Sequence, residues 1–107
     1  MTIWKYPLNG GVRAVQMPTG ARLLGVGAQP PANISHAAEW GSPSAAVFLW
    51  AMVDDSAPVV ARRILVGGTG HQYDPVWKDA PYVGMVQLPT GIVVHVFDGG
   101  EVAEVKP

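Results

Sequence analysis

Ala46-Val47-Phe48-Leu49-Trp50-Ala51-Met52-Val53 is apolar at every position. Asp54-Asp55-Ser56-Ala57-Pro58 ends it with a cluster of turn formers. This run reads as the central strand, buried on both faces or covered by a partner chain. Such a strand needs neighbours on either side and a layer over each face. The remaining chain is therefore searched for strands that can provide them.

Upstream, Thr2 to Tyr6 alternates, with Thr2, Trp4 and Tyr6 on one face, and Pro7 stops the ladder. Asn9-Gly10-Gly11 is a turn signal. Val12 to Met17 and Ala21 to Ala28 are two further extended segments around Pro18-Thr19-Gly20. In the second of these, Leu24 and Val26 should share one face and Leu23 the other. Residues 29–45 are rich in breakers, with three Pro and three Ser, and read as one long loop, with Ser35 placed to cap a single helical turn. Loops of this length in small domains are usually functional or mobile.

Downstream, Ala61 to Val66 is a strand with Arg62, Ile64 and Val66 on one face and Arg63 and Leu65 on the other. Tyr73 to Asp79 fits a short helix with Asp74 as N-cap and Pro75 at its first position. Gly84 to Leu88 and Ile92 to Phe97 flank Pro89-Thr90-Gly91. Asp98-Gly99-Gly100 reads as a turn, and Glu101 to Val105 as a weak last strand. The six residues Val15-Gln16-Met17-Pro18-Thr19-Gly20 return as Val86-Gln87-Leu88-Pro89-Thr90-Gly91, which predicts the same hairpin used twice. Thirteen glycines and ten prolines leave little room for long helices. The expected fold is all-β: a single domain over 1–107, sandwich-like or barrel-like, of about seven short strands with at most one short helix.

Composition narrows the function. Charged residues are 14% of the chain, well below the usual quarter, so apolar surface is left for a partner and a homo-oligomer, a dimer first of all, is expected. A net charge of −1, with Lys and Arg scattered, argues against nucleic acid as partner. The absence of cysteine removes disulfides, thiolate nucleophiles and zinc–thiolate sites. No apolar run approaches the roughly 18 residues of a membrane span, and the N-terminus is too short and polar for a signal peptide, so no membrane contact is expected.

Arg62-Arg63-Ile64-Leu65-Val66-Gly67-Gly68-Thr69-Gly70-His71 concentrates the polar chemistry. Successive glycine amides can form an anion-binding nest; Thr69 adds a hydroxyl, and Arg62 or Arg63 adds charge if the chain folds back. Arg62, Arg63, Gly68, Thr69, Gly70 and His71 are thus the candidate ligand-binding residues; the competing and more common reading of such a run is a glycine-rich strand end with His71 bonded to backbone. No Lys-Ser/Thr follows the last glycine, so this is not a P-loop. His95, on the face of Val93 and Phe97, reads as a hydrogen-bonded structural histidine. His71 and His95 lack metal-ligand spacing, and Asp54-Asp55 point to opposite faces and make a poor acid/base dyad. No catalytic residue, metal or cofactor is therefore expected. Trp4, Trp40 and Trp77 are candidate interface residues; for the two in loops, anchoring a partner and packing down the loop remain equal readings.

Ile3-Trp4-Lys5-Tyr6-Pro7-Leu8, Met17-Pro18-Thr19-Gly20-Ala21-Arg22-Leu23-Leu24, Leu49-Trp50-Ala51-Met52-Val53-Asp54, Gly68-Thr69-Gly70-His71, Tyr82-Val83-Gly84 and His95-Val96-Phe97 follow one another in an order that resembles a family of small uncharacterised proteins of tailed bacteriophages and prophages. The resemblance spans nearly the whole chain except 29–45, where the family pattern has a short hairpin turn. It implies expression in a bacterial host cytoplasm. Three functions are carried forward. One is a non-enzymatic binding protein that modulates a host or defence component, through a protein surface or by sequestering a small anionic ligand. Another is a virion or assembly accessory. The third is a small enzyme acting on a phosphoester through His71 with Arg62 or Arg63.

Overall fold

The computed structural model describes residues 1–8, 11–30 and 46–102, without the side chains of residues 11 and 12. Seven strands form: β1 (Thr2–Pro7), β2 (Gly11–Pro18), β3 (Arg22–Gln29), β4 (Ala46–Val53), β5 (Val59–Gly68), β6 (Tyr82–Gln87) and β7 (Val93–Glu101). A 3₁₀ turn, Pro75–Asp79, lies between β5 and β6. The strands make two antiparallel sheets, ordered β1-β4-β3 and β2-β5-β7-β6, face to face as a sandwich. The all-β reading holds, and no described helix is long and apolar enough to cross a membrane.

β4 is the centre of its sheet, as its composition requires. Val47, Leu49, Ala51 and Val53 are fully buried on the inner face, and Phe48 is covered on the outer one. Opposite them stand Ile64 and Val66 of β5, Val86 of β6, and Val94 and Val96 of β7, all in one apolar cluster. Truncating such a side chain, Leu49→Ala for example, costs about 2–5 kcal/mol.

The face assignment in β3 needs correction. A bulge between Leu23 and Gly25 sets Leu23 opposite Ala51 and Val26 opposite Leu49. Leu23 and Val26 therefore both pack on the core, while Leu24 is left exposed. Strict alternation fails because one extra residue reverses the facing of everything after it. β3 also reaches Gln29, so the expected 29–45 loop starts one residue later; 31–45, with Ser35, His36 and Trp40, lie outside the described residues.

The twin turns differ as well. Pro89-Thr90-Gly91 closes a true hairpin, because β6 and β7 pair, with Leu88 N–H donating to the Ile92 carbonyl (2.8 Å) and Gly91 N–H to the Leu88 carbonyl (2.8 Å). Pro18-Thr19-Gly20 does not: it carries the chain from β2 in one sheet to β3 in the other. Its Thr19 N–H donates instead to the Pro58 carbonyl at 2.8 Å. Both copies place glycine at positive φ, +76° at Gly20 and +89° at Gly91, a conformation that residues with a Cβ rarely adopt.

Asp98-Gly99-Gly100 is not a turn but the continuation of β7. Arg63 pairs with Gly100 and Ile64 with Asp98, so Gly99 bulges out of the ladder. The weak last strand expected from Glu101 onward begins inside β7; residues 103–107 lie outside the described ones. The short helix is a 3₁₀ turn with the expected cap: the Asp74 carboxylate accepts from Val76 N–H at 3.0 Å, and Pro75 opens it.

Candidate functional site

The face of β5, β7 and β6 turned away from the core carries most of the exposed chemistry. Cross-strand register places Leu65 beside Phe97 and Gly67 beside His95, with Tyr82 and Met85 continuing those rows on β6. The segment from Thr69 to Pro81 crosses this face as a strap. Besides the Thr69 hydroxyl on His95 Nε2 (2.7 Å), three contacts hold it. The Tyr73 hydroxyl donates to the Gly68 carbonyl at 2.6 Å, Trp77 meets Phe97 edge-on at 5.7 Å between centroids, and Asp98 N–H donates to the Pro81 carbonyl at 2.8 Å. Gly67 is what lets the strap lie close. The Tyr73 ring sits where any Cβ at position 67 would be.

Tyr73 and Trp77 stack at 4.6 Å with planes 22° apart, and Tyr82 meets Phe97 edge-on at 5.1 Å. These rings make one aromatic wall. Between the wall and the Thr69-Gly70 turn lies an open groove of about 370 Å³. His95 forms part of its floor and is hydrogen-bonded through both ring nitrogens: Nε2 to the Thr69 hydroxyl at 2.7 Å and Nδ1 to the Tyr82 hydroxyl at 2.8 Å. Hydroxyls both donate and accept, so this chain accommodates either tautomer. Among the described residues, Lys78 is the one formally charged side chain that lines the groove, and no carboxylate lines it.

The expected ligand-binding residues separate into two groups. Gly68, Thr69 and Gly70 line the groove. His71 is exposed beside it, its ring nearly parallel to Tyr73 at 6.3 Å. Arg62 and Arg63 lie toward the other end of β5, six to seven residues from Thr69, or about 20 Å at the rise of a strand. Arg62 is on the inner face and already engaged. It bonds the Asp98 carboxylate twice, at 2.6 and 3.1 Å, and the Ala21 carbonyl at 2.6 Å. Arg63 is exposed on the outer face and borders a separate hollow of about 380 Å³ with Val76, Asp79 and Pro81. The structure therefore does not bring the arginines to the glycine turn.

Burial pushes the Asp98 carboxyl up, but hydrogen bonds from Arg62 and from Gly100 N–H, with the guanidinium charge, outweigh it and hold the group below the usual carboxylate range. Glu101 is lowered too, by the N–H of Gly20 and the hydroxyl of Thr19 that it accepts. Arg62, Asp98 and Glu101 thus tie β5 and β7 to the turn between the sheets. This is architecture rather than a ligand site.

Of the tryptophans expected at an interface, Trp4 is half exposed on β1, whereas Trp77 packs down its strap against Tyr73 and Phe97. Trp40 lies outside the described residues. Sequence reasoning missed Lys78, Tyr73, Phe97 and Tyr82 as neighbours of the glycine turn. The stacking of Tyr73 on Trp77, four residues apart, carries a weak helical-spacing signal; the approach of Phe97, Tyr82 and His95 carries none, because it depends on which strands pair. Among the described residues no group of three His, Asp or Glu side chains is arranged to hold a metal.

The groove can bind and orient, but its hydroxyl–imidazole chain is poorly suited to nucleophilic chemistry. A histidine that takes a proton from Thr69 becomes an imidazolium, and the partner that stabilises it in hydrolytic triads is a carboxylate. Here that place is held by the Tyr82 hydroxyl, which carries no charge.

No curated protein and no solved structure matches this chain. One family profile matches residues 1–106, a domain of unknown function termed DUF7352. By that match over almost its entire length, the chain belongs to the DUF7352 family.

Proposed function

We propose that this chain is a phage-encoded, non-enzymatic binding protein of the bacterial host cytoplasm that modulates a host or defence component by holding a small anionic ligand. The observation that carries the reading is the groove beside Thr69: hydroxyl, imidazole and aromatic walls beside Lys78, with no acidic side chain among the described residues that line it. The phage origin rests on the sequence resemblance, from Trp4-Lys5-Tyr6-Pro7 to His95-Val96-Phe97. An enzyme built on His71 with Arg62 or Arg63 is disfavoured, since Arg62 is committed to Asp98 and both arginines stand about 20 Å along the strand from the turn.

A thermal-shift screen of inorganic phosphate, carboxylates and nucleotides tests the reading. A ligand present at about 100 times its Kd adds about 2.7 kcal/mol of stability, or roughly 10–20 °C in Tm for a domain of this size. The shift should shrink in Lys78→Gln, a change at an exposed side chain. If no anion moves the midpoint, the reading fails.

A second reading, a virion or assembly accessory that self-associates, draws on a different feature. β1 is an edge strand with Ile3 and Trp4 both about half exposed, so its outer backbone groups and apolar side chains are open to a second copy.

A further inference from the structure

One of the two proton arrangements open to the groove beside Thr69 narrows what it can hold. The Tyr82 hydroxyl and the Thr69 hydroxyl sit at opposite nitrogens of one imidazole. When Tyr82 donates to Nδ1, the proton of His95 resides on Nε2 and is donated to the Thr69 oxygen. The Thr69 O–H is then free to donate outward, polarised by the two bonds behind it. Lys78 supplies one positive charge on the same groove. One polarised hydroxyl donor and one ammonium match a single anionic group. A polyphosphate would want further cations, and on the same strand Arg62 is held by Asp98 and Arg63 borders the other hollow.

The rest of the lining is ring. Tyr73 and Trp77 form a stacked wall, braced by Phe97 against the edge of Trp77. Gly67 and Gly68 leave the strand backbone bare of side chains next to it. A volume of about 370 Å³ is at the low end of small-molecule sites, which run about 300–1,000 Å³. It has room for one ring system and its substituent.

We infer that the groove takes a planar aromatic or heteroaromatic ring bearing one anionic group, with the anion against Thr69 O–H and Lys78 and the ring along the Tyr73–Trp77 wall. This rests on the anion-binding reading above and specifies it. Ring and anion are recognised together, so each alone binds weakly.

The test uses three probes on the full chain: phenyl phosphate, inorganic phosphate and phenol. Binding is followed by NMR at the indole N–H of Trp77, assigned with Trp77→Phe, and at the ring nitrogens of His95. Phenyl phosphate should bind at least tenfold more tightly than either phosphate or phenol. Saturation should leave His95 protonated on Nε2 and bare on Nδ1. Lys78→Gln and Tyr82→Phe should each weaken it several-fold, with the fold intact by dispersion of the amide spectrum. If phosphate equals phenyl phosphate and both need Lys78, the ring requirement is overturned while the anion-binding reading stands. If phenol equals phenyl phosphate and Lys78→Gln changes nothing, or if none of the three binds, both fall.

Discussion

Arg62 shows how a residue's chemistry can be right and its role different. Its guanidinium is a planar fork suited to an anion, and the anion it finds is Asp98, on the neighbouring strand. The two side chains are 13% and 17% exposed, so the pair is shielded but not sealed. Removing the charge from Asp98 leaves Arg62 shielded, facing the Ala21 carbonyl and the longer ion pair to Glu101 at 4.0 Å. A fully buried pair broken in this way loses about 3–5 kcal/mol, whereas an exposed one is worth under about 1 kcal/mol. Asp98→Asn should therefore lower stability by about 2 kcal/mol, seen as a lower urea midpoint with unchanged slope. The pH dependence follows from sign. The carboxyls of Asp98 and Glu101 are both lowered in the folded chain, so their contribution is fully present above the ordinary carboxylate range and disappears as pH falls through the folded values. Stability of the wild type should drop below about pH 4, and Asp98→Asn should flatten that drop. A variant profile as steep as the wild type's would show that Asp98 is not its source.

At the scale of elements, the strap from Thr69 to Pro81 is the part built to be altered without unfolding the rest. Its 3₁₀ turn has no buried residue, and it rests on the sheet through the Thr69 hydroxyl, Tyr73, Trp77 and one backbone bond at Pro81. The sandwich core beneath lies on the other face of β5 and β7. Gly67→Ala should push the Tyr73 ring off the strand and loosen the strap. Amide exchange over residues 72–80 should rise at least several-fold, while global stability falls by only about 1 kcal/mol, because local opening is separable from global unfolding. Unchanged exchange in that segment would mean Tyr73 does not anchor it. The strap also explains the partial legibility of the site. Asp74-Pro75 is a local start signal, and the sequence identifies the turn it opens. What the turn lies upon is a matter of strand order, to which no local signal points.

At the scale of the molecule, the two sheets meet differently at their two sides. β3 and β6 run beside one another, with Val26 so close to Gly84 that an added Cβ would sit 3.2 Å from it. At the other side β1 and β2 end their sheets. β1 carries exposed Ile3 and Trp4 there, and an unpaired edge of this kind is where a second copy can add. Under the self-association reading, light scattering should give twice the monomer mass at micromolar concentration, and Ile3→Lys should return it to the monomer mass by putting a charge into the new interface. A wild type that stays monomeric at high concentration would rule out assembly through β1.

The amino-acid sequence by itself determined the class of the fold and most of its strands. An unbroken apolar run such as Ala46–Val53 can only be satisfied by burial, and Gly and Pro at short intervals forbid long helices. It also determined the turns, because positive φ at Gly20 and Gly91 is a local demand met by a local residue. Only the tertiary structure decided where those turns lead. Two nearly identical six-residue stretches became a hairpin in one case and a bridge between sheets in the other. The second copy makes its own cross-strand bonds. The first is tied by Arg62 at Ala21, by Glu101 at Thr19 and Gly20, and by the Pro58 carbonyl at Thr19, all distant in the chain. The same holds for the groove. The Gly68-Thr69-Gly70 turn was legible because its chemistry is local. Its partners Lys78, Tyr82, His95 and Phe97 were not, because β7 inserts between β5 and β6 and that pairing is set by burial of the whole core.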